Sequence, residues 1–412
     1  MPSDLPNKRI CIAHPGTVKN DFRLHKTIEM LTQAGANITV LCSSQMNSAT
    51  YTFRKPNVTI FRADAANIKL PNPSQHTLRL ARVIYNLIIY RWLLRRYNYK
   101  KKGSCPYSGF SSFISKGNFD CAHFINYQLS DEISRLSNES KTPIIYETYE
   151  NWQEVLRSSS ATNIEDSEKW LGKEAEVLAS CKCAIVVSEP IASVYKKIVD
   201  KNNVHVIYNV APNDPIFPKE CGDKVKFLNQ GYMRPNQGIE EAIAAFSKCT
   251  GNFSVTFQGR FLSQEYEEKV RELASSNNCS QIIFEDECAY IDVVSNANNY
   301  DVGFLTSPAY LAGKPDRNSM LALPNKLFTY AAAGLALVFG SHQLAIKEIL
   351  KGFDCVQYAD TLNEHSITEV FQCLIDNKDK VNDMKIASNK WAYKHSFASE
   401  KQKLLKVYEQ CL

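Results

Sequence analysis

Apolar and polar positions follow two rhythms along this 412-residue chain. Short runs dense in β-branched residues read as strands, and stretches whose apolar residues recur every three or four positions read as helices. RICIAHP, from Arg9 to Pro15, is the first strand candidate and ends at Gly16. DFRLHKTIEMLTQAG follows with Leu24, Ile28 and Leu31 on one helical face; Asp21 can cap that helix, and Gly35 ends it. NITVLCS resumes as a strand. Further strands are expected at Asn57 to Ala63, Phe119 to Ile125, Thr142 to Thr148, Cys183 to Glu189 and Val204 to Asn209. Strands this apolar, separated by helical segments, indicate a parallel sheet covered on both faces.

NVAPNDPIFPKECGD, from Asn209 to Asp223, has three prolines and no period, and reads as an interdomain linker. The alternation then restarts with VKFLNQG, a helix from Gly238 to about Cys249, FSVTFQG, a helix from Gln264 to Ser275, and QIIFED. A helix around Val293, DVGFLTS, a helix from Asn325 to Ala333, and ALVFGS complete it. Two successive βα arrays predict an α/β fold of two Rossmann-like domains facing a cleft, over residues 1–210 and 211–395. Residues 396–412 form a last helical segment with no strand after it, expected to pack back on the first domain. Ligands in such sheets bind beyond the carboxyl ends of the strands.

Composition agrees with a folded chain of about two domains: 44% of residues are hydrophobic and 22% charged. The net charge of +5 hides an imbalance, because residues 1–210 carry 27 Lys/Arg against 18 Asp/Glu and residues 211–412 carry 21 against 25. No acid lies between Asp64 and Asp120, where ten Lys/Arg fall, so an anionic partner is expected there. The thirteen cysteines include no Cys-x-x-Cys pair for zinc and no disulfide framework, which points to reduced thiols in a cytoplasmic protein. The apolar run near the N-terminus reads as a strand rather than a signal peptide, and no run is long enough to span a bilayer.

Three strand ends lead into helix N-termini, where free N–H groups and the positive end of the helix dipole favour phosphate oxygens. HPGTVKND holds Gly16, at a close approach or a simple turn. GYMRPNQG, Gly231 to Gly238, places Arg234 where its guanidinium fork suits a diphosphate, unless it is an ordinary surface arginine. LALPNKLFTYAAAG puts Asn325 and Lys326 in a first helical turn. A lysine there opposes the dipole unless an anion neutralises it, and the run Ala331 to Gly334 fits either tight packing or a ligand.

Taken in order, NDFRLHK, VVSE, VIYN, GYMRPNQG, LPNKLFTYAAAGLALV and the ending HSFASEKQKLLKVYEQCL resemble the family-4-like glycosyltransferases of the GT-B fold. That resemblance implies transfer of a sugar from a nucleoside diphosphate sugar, usually with retention, the donor on the second domain and the acceptor on the first. It implies no cofactor and no metal, in keeping with the absence of a D-x-D pair. Arg234 and Lys326 would hold the donor phosphates, with Gly16, Gly231, Asn325 and Thr329 around the donor. Gln237 stands where the family often has a lysine, Leu321 and Thr329 where many retaining members have two glutamates, and Ala336 where a proline is usual. FDCAHFIN resembles the strand that ends near the reacting sugar, so His123 is a catalytic candidate or a buried structural residue. Glu147 and Glu150 of YETYENW would orient the acceptor hydroxyl or take its proton, or are solvated carboxylates.

RVIYNLIIYRWLLRRYNYKKK, Arg82 to Lys102, begins as an amphipathic helix, but Arg91 and Arg95 interrupt its apolar stripe. Aromatic residues such as Trp92 together with Arg82, Arg91, Arg95, Arg96, Lys100, Lys101 and Lys102 suit an anionic membrane surface or a lipid-linked acceptor. A core helix followed by a basic loop is the plainer alternative, and no nucleic-acid motif is present. The expectation is a cytoplasmic glycosyltransferase, peripheral on the inner face of a membrane, acting on a lipid-linked or surface-glycan acceptor. Alternatives are a non-catalytic GT-B-like subunit that binds a sugar nucleotide or glycan, and a sugar-nucleotide epimerase.

Overall fold

A computed structural model describes residues 5–16, 18, 21–42, 56–62, 107, 109–152, 164–277, 279–311 and 313–412. The basic segment 82–102 lies outside the described residues, and with it Arg82, Arg91, Trp92, Arg95, Arg96, Lys100, Lys101 and Lys102. Seven short strands form the first sheet: β1 (Arg9–His14), β2 (Asn37–Cys42), β3 (Val58–Arg62), β4 (Cys121–Ile125), β5 (Ile144–Glu147), β6 (Cys183–Val186) and β7 (Val204–Val206). They run parallel in the order β3-β2-β1-β4-β5-β6-β7, so the order reverses between β1 and β4. Helix α1 (Phe22–Gln33) starts at Asp21, whose carboxylate accepts the Leu24 N–H at 2.9 Å.

The second sheet holds β8 (Val225–Gln230), β9 (Phe253–Gln258), β10 (Ile282–Glu285), β11 (Val302–Leu305), β14 (Ala336–Gly340) and β15 (Val356–Ala359), in the parallel order β10-β9-β8-β11-β14-β15. Between β11 and β14 the chain makes a hairpin of β12 (Tyr310–Leu311) and β13 (Lys314–Pro315). Helices α2 (Ile239–Phe246), α3 (Arg317–Leu321) and α4 (Asn325–Ala332) surround the ends of β8 and β11. Sequence periodicity misses β15 and the hairpin. The edge strand β15 buries only Ala359 fully, and the hairpin strands are two residues long, so neither carries a repeating apolar pattern.

Alternation within each strand of the first sheet divides its core. Ile10, Ile12, Cys121, Ile125, Ile145, Cys183 and Ile185 face one side, and Cys11, Ala13, Phe124, Tyr146 and Val186 face the other. The first side is closed by Leu24, Ile28 and Leu31 of α1 together with Leu404, Leu405, Tyr408 and Cys411 of α5 (Phe397–Cys411). The terminal helix α5 therefore belongs to the first sheet in space, although it follows the second in sequence. Ser396 caps it by accepting the Ser399 N–H, and Lys401 reaches Gln33 of α1 at 3.0 Å.

Candidate functional site

At the carboxyl end of β8 the backbone turns at Gly231 (φ +123°) and re-enters a helix at Gly238 (φ +76°). A Cβ on Gly238 would lie 2.1 Å from the carbonyl oxygen of Thr306, just beyond β11, and the Thr306 hydroxyl donates to Gly238 O at 2.9 Å. The loop is thus drawn onto the point where the strand order reverses between β8 and β11, leaving Arg234 exposed and Gln237 half-buried. Arg234 makes no hydrogen bond or ion pair among the described residues.

Lys326, in the first turn of α4, passes beside Gly231 and donates to Asn229 Oδ1 at 2.9 Å. Asn229 is fixed in turn by Phe304 O, 3.2 Å away. Burial, helped by the Arg234 charge, pulls the Lys326 ammonium down to about 7. Asn325 bonds to Asn209 at the start of the linker, and Thr329 is half-buried one turn further on. The small residues after it serve packing: a Cβ on Gly334 (φ +70°) would meet Pro218 at 2.8 Å, and Ala332 O accepts the Ile216 N–H.

On the first-domain side, β1 ends at His14. Its Nδ1 accepts the Gly16 N–H at 3.1 Å, so the Nε2 proton points to Asp21 Oδ2 at 2.7 Å. Gly16 therefore completes a turn closed over the histidine ring. His123 and Glu147 lie deeper, on the face covered by α1 and α5, and are 0% and 1% exposed. Arg23 of α1 donates to Glu147 Oε1 at 2.6 Å through Nε and to Ile207 O at 2.9 Å. His123 Nδ1 meets the Tyr408 hydroxyl at 2.6 Å, and its Nε2 stands in a skewed contact 3.0 Å from Glu147 Oε2. Burial works against the Glu147 carboxylate, yet the Arg23 guanidinium and His123 hold it below the usual carboxylate range. Neither residue opens onto the cleft, so the solvated reading of Glu147 is wrong: its charge is paired inside.

Glu150 is different. Its carboxylate turns to the second domain and accepts from Asn318 Nδ2 of α3 at 2.7 Å, while the Asn151 N–H donates to Asn318 Oδ1 at 3.2 Å. Burial raises its pKa and Asp316 adds to this, against the Asn318 hydrogen bond and the Arg234 charge. The Ser188 hydroxyl bonds Leu321 O at 2.6 Å, and Phe22 stacks on Tyr290 with ring centroids 4.0 Å apart. The structure thus brings Arg234, Lys326, Asn325 and Glu150 to one cleft, while His123 and Glu147 brace the wall behind Glu150. Asn229, Asp316 and Asn318 escape the sequence reading, since isolated Asn and Asp residues near turns carry no periodic signal.

No family model matches the chain, and no curated protein matches it in sequence. Solved structures match it in fold. Sucrose-phosphate synthase from Thermosynechococcus elongatus superimposes with a TM-score of 0.70 at 10% identity, covering 98% of this chain and 99% of that one. Anabaena HepE in complex with UDP and glucose gives 0.64 at 12% identity over 98% and 100%. TarM of S. aureus, solved with UDP, fondaparinux and α-GlcNAc-glycerol, gives 0.65 at 9% identity over 97% and 99%. Two parallel Rossmann-like sheets in the same order, matched along nearly the whole chain by these structures, give the protein the GT-B fold.

Proposed function

We propose that the protein is a glycosyltransferase that moves a sugar, with retention, from a nucleoside diphosphate sugar to a lipid-linked or surface-glycan acceptor. The observation that carries this reading is the pair of cations beside the Gly231 turn. Neither Arg234 nor Lys326 makes an ion pair among the described residues, and the Arg234 charge adds to the cost of charging Lys326. A diphosphate removes that cost, and the N-terminus of α4 adds its dipole. HepE and TarM, both solved with UDP, share the fold and support a uridine donor as the first to test.

In the proposed reaction the acceptor oxygen bonds the anomeric carbon as the bond from that carbon to the diphosphate oxygen breaks, the acceptor proton passes to the departing diphosphate, and Arg234 and Lys326 stabilise its remaining charge. Glu150 orients the acceptor hydroxyl on the same face, and the Arg23–Glu147–His123 network keeps the Glu150 loop in place. As the family resemblance implies, no metal takes part. The basic segment 82–102 docks the enzyme on the inner face of an anionic membrane, where a lipid-linked acceptor resides.

Incubation with UDP- and GDP-sugars, with and without a lipid acceptor, tests this reading. Acceptor-dependent release of nucleoside diphosphate, lost in Arg234→Ala, is the expected result; absence of any sugar-nucleotide binding or consumption sinks it. Gln237 and Thr329 favour one competing reading, a non-catalytic sugar-nucleotide-binding subunit, which predicts binding without turnover. Interconversion of the sugar without an acceptor would instead mark an epimerase. Flotation with anionic liposomes that persists after Arg91, Arg95 and Arg96 are replaced by Gln removes the assigned docking segment.

A further inference from the structure

Cys183 opens β6 on the face covered by α5, and Cys411 closes the last turn of α5. Their sulfurs stand 2.9 Å apart, although 228 residues separate them in sequence. Non-bonded heavy atoms of this kind rest about 3.5–4 Å apart, and a disulfide bond is about 2 Å long. The pair is therefore held closer than simple packing requires. It lies at the amino end of β6, whereas the cleft gathers at the carboxyl ends of the strands, so it is separate from the candidate donor site.

We propose that Cys183 and Cys411 are an oxidisable pair, forming a reversible disulfide that pins the end of α5 to β6. The surroundings select these two among the cysteines at this end of the sheet. The Cys411 thiol donates toward the Cys183 sulfur, which favours the Cys183 thiolate against the opposing effect of burial and pushes Cys411 up; His205 and Lys182 act with Cys411 on Cys183. Burial drives the neighbouring Cys121 and Cys181 thiols well up, so they stay protonated. The thiolate is the nucleophile in thiol–disulfide exchange.

The oxidant is a low-molecular-weight disulfide such as oxidised glutathione. Cys183 thiolate attacks one of its sulfurs, breaking that S–S bond and releasing one glutathione thiolate. Cys411, once deprotonated, attacks the Cys183 sulfur of the mixed disulfide and releases the second. Two protein thiols are oxidised, one small disulfide is reduced, and the two thiol protons end on the two released glutathiones. Both cysteines are buried, at 2% and 1% exposed. Glu409, Gln410 and Leu412 around Cys411 are exposed, so fraying of that last turn is enough to admit the oxidant.

The closed loop would enclose the whole second sheet, and a cross-link across so long a segment restricts the unfolded chain. The full chain, equilibrated with oxidised and reduced glutathione at stepped ratios and then alkylated, should lose two of its thirteen thiols together. A non-reducing peptide map should join the Cys183 and Cys411 peptides. The melting temperature should rise by about 5 °C and fall back with dithiothreitol. Cys411→Ser should abolish the shift while leaving nucleotide binding unchanged. Thirteen free thiols at every ratio, a bond between other cysteines, or glutathione retained on Cys183 would each overturn the proposal, and the wild-type map gives the answer even if the variant folds poorly.

Discussion

Lys326 offers a test of the donor site that needs no acceptor. Its ammonium is held at about 7, chiefly by burial and next by the Arg234 charge. The diphosphate of UDP bound beside it supplies three negative charges and returns the charged form to favour, at or above the ordinary lysine value. Binding then takes up a proton at any pH between the free and bound values. With 7 for the free protein, the fraction carrying the charge falls from one half at pH 7 to about one hundredth at pH 9. The dissociation constant for UDP should therefore rise about fifty-fold over those two units, about 2 kcal/mol.

The second ionisation of the nucleotide phosphate, near pH 6, is complete over this range and adds little slope of its own. Calorimetry in two buffers of different ionisation heat should record uptake of about 0.9 proton per UDP at pH 8. Lys326→Arg, charged throughout, should bind UDP with nearly the same affinity from pH 7 to 9, and Lys326→Met should bind weakly and without slope. In the free protein the sign reverses. The unfolded chain binds more protons than the folded one between pH 7 and 10.5, so this group makes stability rise with pH. A wild-type affinity that stays level from pH 7 to 9 would refute the reasoning.

Three further outcomes follow from features away from Lys326. Arg23→Met strands the buried Glu147 carboxylate, so urea denaturation should show a loss of about 3–5 kcal/mol, with Glu147→Gln in the same background restoring part of it. Gly238→Ala places a methyl against Thr306 O in a left-handed backbone, and should cost about 2–4 kcal/mol of stability and at least about tenfold in UDP affinity. His395, between the last two helices, is lowered to about 4 by burial and the charges of Lys403 and Lys394. Because the unfolded histidine titrates near 6.5, the stability it confers is lost as pH falls from 6.5 through 4. Partial exposure holds the effect to about 1 kcal/mol, read as the difference in urea midpoint between wild type and His395→Phe.

The parts of this fold legible in the sequence are those written in local repeats. Leu24, Ile28 and Leu31 mark the buried stripe of α1, Asp21 marks its cap, and Gly231 and Gly238 mark the two ends of the phosphate-side turn. Partners distant in sequence leave no such trace. Arg23 and Glu147 are 124 residues apart and His123 and Tyr408 are 285 apart, so Glu147 reads from sequence as a strand-end carboxylate on the cleft when it is the centre of a buried ion pair. Glu150, three residues later, reads the same way and does face the cleft. The strand alternation decides between them: Glu147 keeps the inward register of Ile145, and Glu150 lies beyond β5, where the register has ended.

The crossing of α5 back to the first sheet also bears on how the molecule is made. A ribosome delivers β1 to β7 well before residues 397–411, and until those arrive the apolar side of the sheet that carries Ile145 and Ile185 lacks the cover of Leu404, Leu405, Tyr408 and Cys411. His123 then lacks the Tyr408 hydroxyl, and the Tyr208 N–H lacks the Glu400 carboxylate it reaches at 2.8 Å. The first domain should therefore stay sticky and protease-sensitive during vectorial synthesis until residues 397–411 have been made. A nascent chain halted before residue 397 would be a natural client for chaperones.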